Sequence, residues 1–288
     1  MFRQEYDLSA AGGTVGTLDP ERDLPGHLVV VAPHMDDELI GCGALLASLV
    51  DGTRASVVYV TDGSGSPQPA APWHVIDRET LARTRRDEAL AGLEAVGVPP
   101  ANAHFLELPD GELRRLGGRL RQALVEILVD LAPQRVLIPF RMDRHPDHIA
   151  VHRAVVDLDN SRGFGAGIHE YFVYSEWKLL PGGDIRSWVQ PGLLRSLVPS
   201  EEIRDRKRQA LELHESQTTR HFDWQRRPNL TAVFLDRVAA APEVFLDTSR
   251  APVGAHIFRG GRLRIHMAHR LEPALKRAKD RIVALVRG

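Results

Sequence analysis

A chain of 288 residues with 43% hydrophobic content is long enough for one large α/β domain or two small ones, and can bury a sizeable core. Its 37 basic and 38 acidic side chains leave a formal net charge of -1, which excludes a surface given over wholly to nucleic acid. The single cysteine, Cys42, excludes an internal disulfide and a zinc cage built on thiolates.

Residues 1–26 are polar and rich in Gly, Pro and Asp, a segment expected to wrap the surface or pair weakly. Five apolar residues in a row, Leu28–Ala32, suit a strand buried on both faces. Pro33 ends it, and His34, Asp36, Asp37 and Glu38 arrive together where the chain turns into a helix over 37–49. Residues 55–60 read as the second strand, followed by Thr61-Asp62-Gly63. The loop over 64–74 is too rich in Ser, Pro and Gly to be regular, and lies where a lid or substrate loop would sit. Residues 77–96 form a helix with Leu81, Ala89, Leu93 and Val96 inward, stopped by Gly97. A third strand over 104–108 breaks at Pro109-Asp110-Gly111, and a helix follows over 116–131. The fourth strand, 136–140, runs directly into Arg141-Met142-Asp143-Arg144-His145-Pro146-Asp147-His148 and a helix through Val156; residues 171–174 make a fifth. This alternation predicts a mostly parallel sheet in a three-layer α/β fold.

After Trp177 the pattern loosens. Residues 200–215 read as a charged helix capped by Ser200 and closed by Ser216-Gln217, residues 229–240 as another helix, and 244–246 as a short strand. From Arg259 to Gly288 the chain carries nine Lys or Arg against Glu272 and Asp280. The last helix aligns Leu271, Leu275, Ala278, Ile282 and Leu285 on one stripe. The chain thus divides into a main domain, 1–258, and a basic amphipathic tail, 259–288. The tail is expected to dock on its own domain or a second copy rather than on anionic lipid. No stretch approaches the roughly 20 apolar residues of a membrane span, and the first residues lack the apolar core of a signal peptide, so a cytoplasmic protein is the expectation.

Two segments carry chemistry: His34-x-Asp36-Asp37 after the first strand and His145-Pro146-Asp147-His148 after the fourth. Both stand at carboxyl ends of strands, which can be neighbours in a doubly wound sheet. Two imidazoles and a carboxylate make a common catalytic zinc set, here His34, Asp37 and His148. Asp36 and His145 then stand free beside the ion, as proton acceptor and oxyanion stabiliser. An Asp pair alone is better read as helix-start acids, worth up to about 1 kcal/mol each. Both segments at corresponding ends of two core strands are harder to attribute to capping. Gly41-x-Gly43 lacks a third glycine, Leu46 standing there, and suits close helix packing better than a dinucleotide.

At these residues the chain resembles the PIG-L or LmbE-like superfamily of zinc-dependent N-acetylglucosaminyl deacetylases. PHMDDELIGCG followed by D-x-HPDH carries the resemblance, with Met35 where the family usually has Pro. Thr61-Asp62-Gly63, Arg85-x-x-Glu88 with Gly97, and Lys207 with His214-x-Ser216-Gln217 extend it over 28–217. The resemblance implies a Rossmann-like sheet and metal positions at His34, Asp37 and His148. It also implies Asp36 as general base, His145 as oxyanion stabiliser and Asp147 as the acid orienting His145. A substrate-contacting Arg is expected at Arg85 or Arg141, with a surface salt bridge the alternative for either. Trp73 and His74 could line a sugar face or anchor their loop. The expected activity is zinc-dependent removal of an N-acetyl group from a small-molecule amino sugar or its conjugate. A magnesium-dependent phosphohydrolase and a non-catalytic sugar-binding module remain the other classes, and the substrate and any homo-oligomer stay open.

Overall fold

The computed structural model describes residues 15–68, 71, 73–162, 165–176, 179, 183–248, 256–259 and 262–287. The chain enters the sheet at its edge with Gly16–Thr17 (β1). Pro20–Asp23 (α1) follows, its start capped by the Asp19 carboxylate, which accepts from the backbone of Glu21 and Arg22. Every residue of Leu28–Ala32 (β2) is buried. Leu28, Val30 and Ala32 enter one hydrophobic cluster and Val29 and Val31 another, which is why the run is apolar without alternation.

Next come Asp37–Ala47 (α2), Ala55–Thr61 (β3), Arg78–Ala95 (α3), Ala103–Leu108 (β4) and Gly117–Leu131 (α4). Arg135–Pro139 (β5), Pro146–Arg162 (α5) and Gly167–Tyr171 (β6) complete the first half. β2 to β6 are parallel and lie in the order β4-β3-β2-β5-β6. Residues of α2 and α3 pack in one cluster and residues of α4 and α5 in the other, so helices cover both faces in a Rossmann-like three-layer arrangement. The winding reverses between β2 and β5, which pair directly, Val29 opposite Val136. A switch point of this kind opens a crevice at the carboxyl ends of the strands.

Leu194–Leu197 (β7), Glu201–Glu212 (α6), Glu215–Thr218 (α7), Ala232–Ala240 (α8), Glu243–Asp247 (β8) and Arg262–Arg287 (α9) extend this unit. β8 inserts antiparallel between β6 and β7, and β1 pairs parallel with β7, giving eight strands. The strand expected over 171–174 lies earlier, ending at Tyr171. The bond that Phe140 N donates to Tyr171 O closes that ladder, and Phe172 joins a third cluster with Phe140. β7 was not expected, because LRSL is too short and half polar to signal a strand. Ser200 does cap α6, accepting from Ile203 N, but Ser216-Gln217 belong to a separate turn, α7, and are buried. The helix expected over 229–240 begins only after Thr231, which caps it. The first part of the segment expected to wrap the surface, residues 1–14, lies outside the described residues. Among the described residues no helix is long and apolar enough to cross a membrane.

Helix α9 packs on the rest of the described chain through a face other than the one expected. Ile265 is buried in the third cluster, and buried Glu272 meets Arg144 at 3.4 Å and accepts from Leu179 N. The stripe of Leu271, Leu275 and Ile282 points outward instead, as does Ala278; the side chain of Leu285 lies outside the described residues. Three positions along, Ala268 packs beside Ile265, so the tertiary contact selects the 265–268–272 row.

One buried ion pair fastens the second half to the first. Lys207 Nζ of α6 donates to Glu243 at 2.7 Å and to Ile40 O at 3.0 Å. The same carboxylate accepts from Ala44 N and Leu45 N inside α2. The α2 glycines permit this approach: a Cβ on Gly43 would lie 3.1 Å from the Lys207 side chain, and one on Gly41 only 2.3 Å from the Tyr171 ring. Lys207→Met is expected to lower unfolding stability in urea by about 3–5 kcal/mol, because Glu243 is left charged and buried. A loss below about 1 kcal/mol would show that the pair contributes little.

Candidate metal centre and cavity

Because β2 and β5 are neighbours, the segments leaving their carboxyl ends meet. His34 Nδ1 lies 3.1 Å from Asp37 Oδ2, His148 Nε2 lies 3.1 Å from the same oxygen, and the two nitrogens are 3.3 Å apart. All three side chains are buried. Ligand atoms about 2.1 Å from a tetrahedral ion stand about 3.4 Å from one another, so this triangle has the dimensions of three corners of such a shell. His145 is near as well: it, His34 and His148 offer ligand atoms within 4.8 Å of one another, as do His34, Asp110 and Asp147. In the triangle with Asp37 every separation is 3.1–3.3 Å, and its two nitrogens and one oxygen suit a divalent transition ion.

The outer nitrogen of each imidazole faces a carboxylate. His148 Nδ1 is 3.3 Å from Asp143 Oδ2, and His34 Nε2 is 3.2 Å from Asp110 Oδ1. Such partners fix the tautomer and direction of a metal-binding ring. The electrostatics ask for positive charge at the centre. Burial opposes ionisation of Asp37, yet His148 and His34 beside it hold its carboxyl well below the usual range. Burial likewise opposes a charged His148, but Asp37 and Asp143 push it up to about 9. Protons on the imidazoles answer this field, and a divalent ion binding there would displace them.

Asp36 stands beside the triangle, in backbone geometry that an L-residue rarely adopts, φ 143° and ψ -25°. Its N–H donates to Glu38 Oε2 at 3.1 Å, and the Tyr59 hydroxyl holds the other Glu38 oxygen at 2.9 Å. Its carboxylate lies 3.3 Å from the buried Arg85 guanidinium, which also donates to Met35 O and Gly63 O. Burial pushes the Asp36 carboxyl up to about 7, against the pull of Arg85.

His34, Asp36, Arg85, Asp110, His145 and Tyr174 line a cavity of about 840 Å³. His145 sits edge-on to His34, ring centroids 4.6 Å apart. Burial, then the charges of His34 and His148, lower its pKa to about 4. Two expectations need correction. The Asp147 carboxylate does not orient His145: it accepts from Gly111 N and Leu113 N and lies 3.5 Å from His34 Nε2. His145 is oriented by the Asp147 backbone, whose N–H donates to Nδ1 at 3.3 Å. Arg141 does not line the cavity; buried Glu170 draws its guanidinium away and also holds His152 at 3.2 Å. Trp73 is exposed, and His74 stacks on Trp224 and accepts from Ala71 N, anchoring the loop.

Sequence reasoning passed over Asp110, Asp143 and Tyr174. Asp110 was visible as a lone acid in a Pro-Asp-Gly turn ending a core strand, and Asp143 opens the D-x-HPDH segment. Tyr174, 5.5 Å from the His148 ring, had no signal, since only the exit direction of β6 brings it there.

The model of the PIG-L family, described as GlcNAc-PI de-N-acetylase, matches residues 29–158, the span holding both segments. That span carries the chain's likeness to the PIG-L family. The chain is 29% identical to 1D-myo-inositol 2-acetamido-2-deoxy-alpha-D-glucopyranoside deacetylase of Kineococcus radiotolerans over 182 residues, 51% of this chain and 50% of that protein. It is 27% identical to 2'-N-acetylparomamine deacetylase of Streptomyces fradiae over 154 residues, 48% of this chain and 55% of that one. The chain therefore spans about half the length of the curated relatives it matches. N,N'-diacetylchitobiose deacetylase from Pyrococcus horikoshii shares the fold, with a TM-score of 0.52 at 20% identity over 72% of this chain and 75% of that one.

The backbone at Asp36 yields a test independent of chemistry. Asp36→Gly is expected to be more stable than Asp36→Ala by about 1–2 kcal/mol, because glycine tolerates a positive φ. Thermal unfolding measures the gap, and equal Tm values would argue that the strain is absent.

Proposed function

We propose that the chain is a zinc-dependent hydrolase that removes an N-acetyl group from an amino sugar or amino-sugar conjugate. The observation that carries this reading is the His34–Asp37–His148 triangle with a carboxylate outside it, Asp36, lining the same cavity as His34. The names of the two curated relatives, both deacetylases of N-acetylated amino sugars, support the substrate class. Held by His34, Asp37 and His148, zinc supplies Lewis acidity toward the acyl oxygen and lowers the pKa of the attacking water.

The chain's own residues account for the rest. Asp36 accepts the proton that water loses as its oxygen bonds to the acyl carbon. His145 accepts at Nδ1 from Asp147 N, so its Nε2–H is free to donate to the oxyanion that develops. As the C–N bond breaks, the departing amine takes the proton from Asp36, and acetate and the free amino sugar result. Arg85 keeps the Asp36 carboxylate turned into the cavity. Two imidazoles argue against the alternative of a magnesium phosphohydrolase, which favours an all-oxygen shell. A non-catalytic sugar-binding module would leave the strained backbone at Asp36 without purpose.

Acetate release from N-acetylated sugars, measured before and after chelation, tests the reading. Chelation is expected to abolish turnover and zinc to restore it. Asp36→Ala is expected to keep zinc and lose about 10²–10⁴-fold in kcat, whereas His34→Ala loses both. Zinc content by elemental analysis separates the two. A protein that carries magnesium and no transition metal, or a fully active Asp36→Ala enzyme, would overturn the proposal.

A further inference from the structure

Helix α9 presents two apolar rows, and the rest of the chain uses one of them. Ile265 and Glu272 are buried on the docked row, Ile265 in the third cluster and Glu272 against Arg144 and Leu179 N. The other row carries Leu263, Met267, Leu271, Ala274, Ala278 and Ile282, at successive steps of three or four residues, and every one of them is exposed. At about 100° per residue it lies about 140° around the helix from the docked row, so the contact that buries one leaves the other in solvent. Leu263 is 75% exposed, Met267 54% and Ile282 60%. A single surface leucine needs no explanation, but a continuous apolar row about 28 Å long marks a face that something covers.

The charges beside this row indicate what covers it. Arg270, Arg277 and Arg281 follow one edge, Arg264 and Lys279 stand toward the other, and all five side chains are exposed. Glu272 is the one acid among the described side chains of α9, and it is buried. A second copy laid on this face, in either direction, would set cations against cations, a juxtaposition that disfavours pairing. An anionic lipid surface meets both needs, with acyl chains for the apolar row and negative headgroups for its edges. Lys276, Arg277 and Lys279 also wall a groove of about 1290 Å³ that shares Asp36 and His145 with the cavity. Whatever receives α9 therefore lies beside the approach to the metal centre.

We propose that α9 is an interfacial helix, lying on an anionic lipid surface with the row from Leu263 to Ile282 inserted and the flanking cations against the headgroups. The row that packs on the protein and the row that meets lipid are separate, so the helix serves both at once. It is not apolar enough to cross the bilayer. The inference does not depend on the deacetylase reading, because its test reads binding and not turnover.

The full chain is sedimented with vesicles of phosphatidylcholine alone and of equal parts phosphatidylcholine and phosphatidylglycerol. Two sets of variants are compared with wild type: Leu263→Gln with Met267→Gln and Leu271→Gln, and Arg270→Gln with Arg277→Gln and Arg281→Gln. All six side chains are exposed, so both sets are expected to unfold at the wild-type Tm; if one set does not fold, the other decides. Wild type is expected to bind the phosphatidylglycerol vesicles about tenfold or more tighter than the neutral ones, and added salt to release it. Each variant set is expected to weaken that binding about tenfold or more. In a Met267→Trp variant, fluorescence is expected to shift to the blue on the anionic vesicles. Wild type that binds neither vesicle or both equally, variants that bind as wild type does, or an unshifted Met267→Trp emission would overturn the proposal. A dimer in sedimentation velocity that the Leu263, Met267 and Leu271 set dissociates, without vesicle binding, would overturn it in favour of a second copy on this face.

Discussion

Asp37 is the constraint around which the site is built. One buried carboxylate oxygen faces an imidazole from its own segment and a second from a segment more than a hundred residues later, both at 3.1 Å. Such a charge is tolerable inside a protein only where opposite charge is supplied at the same point. The two imidazoles supply it as protons, and their outer nitrogens lean on further carboxylates, Asp110 and Asp143. Negative charge thus surrounds a space the size of one ion, a stronger indication than any one of the residues alone.

The structure around this centre works largely to aim it. Glu38 and Tyr59 hold the loop at Asp36 from below, and Arg85 ties Met35, Gly63 and Asp36 together. Glu88, three residues along α3, accepts from Ser216 N and its hydroxyl, and Gln217 donates to Ser66 O in the loop over the cavity. The Arg85-x-x-Glu88 and Ser216-Gln217 segments are therefore one device: α3 carries a clamp for Asp36 at one position and an anchor for the covering loop at the other. The Lys207–Glu243 pair performs the same service for α2, fastening the helix that presents Asp37.

The second half of the chain decides what can approach this machinery. β8 and β7 widen the sheet beyond β6, and α9 lies along the groove that this extension creates. Its basic residues were plain from composition; their direction was not. An amphipathic helix has more than one row able to dock, and contact with the third cluster selected Ile265, Ala268 and Glu272. That choice turns Leu271 and Leu275 outward and brings Lys276, Arg277 and Lys279 to the groove.

By itself the sequence determined what depends on neighbouring residues and on hydrophobic period. The unbroken apolar run of β2, the helices after it, and the two polar segments at strand ends could all be read directly, because a strand buried on both faces cannot carry polar groups until it stops. The triad of His34, Asp37 and His148 followed from residue chemistry and an assumed meeting of those ends. Tertiary structure alone decided that β2 and β5 are adjacent, that the Asp147 carboxylate turns to Gly111 and His34 rather than to His145, and that Glu170 draws Arg141 away from the cavity. Those outcomes hinge on partners 29 to 113 positions apart along the chain. A side chain's direction is set by whichever distant group can satisfy its charge, and that competition is resolved only when the sheet closes.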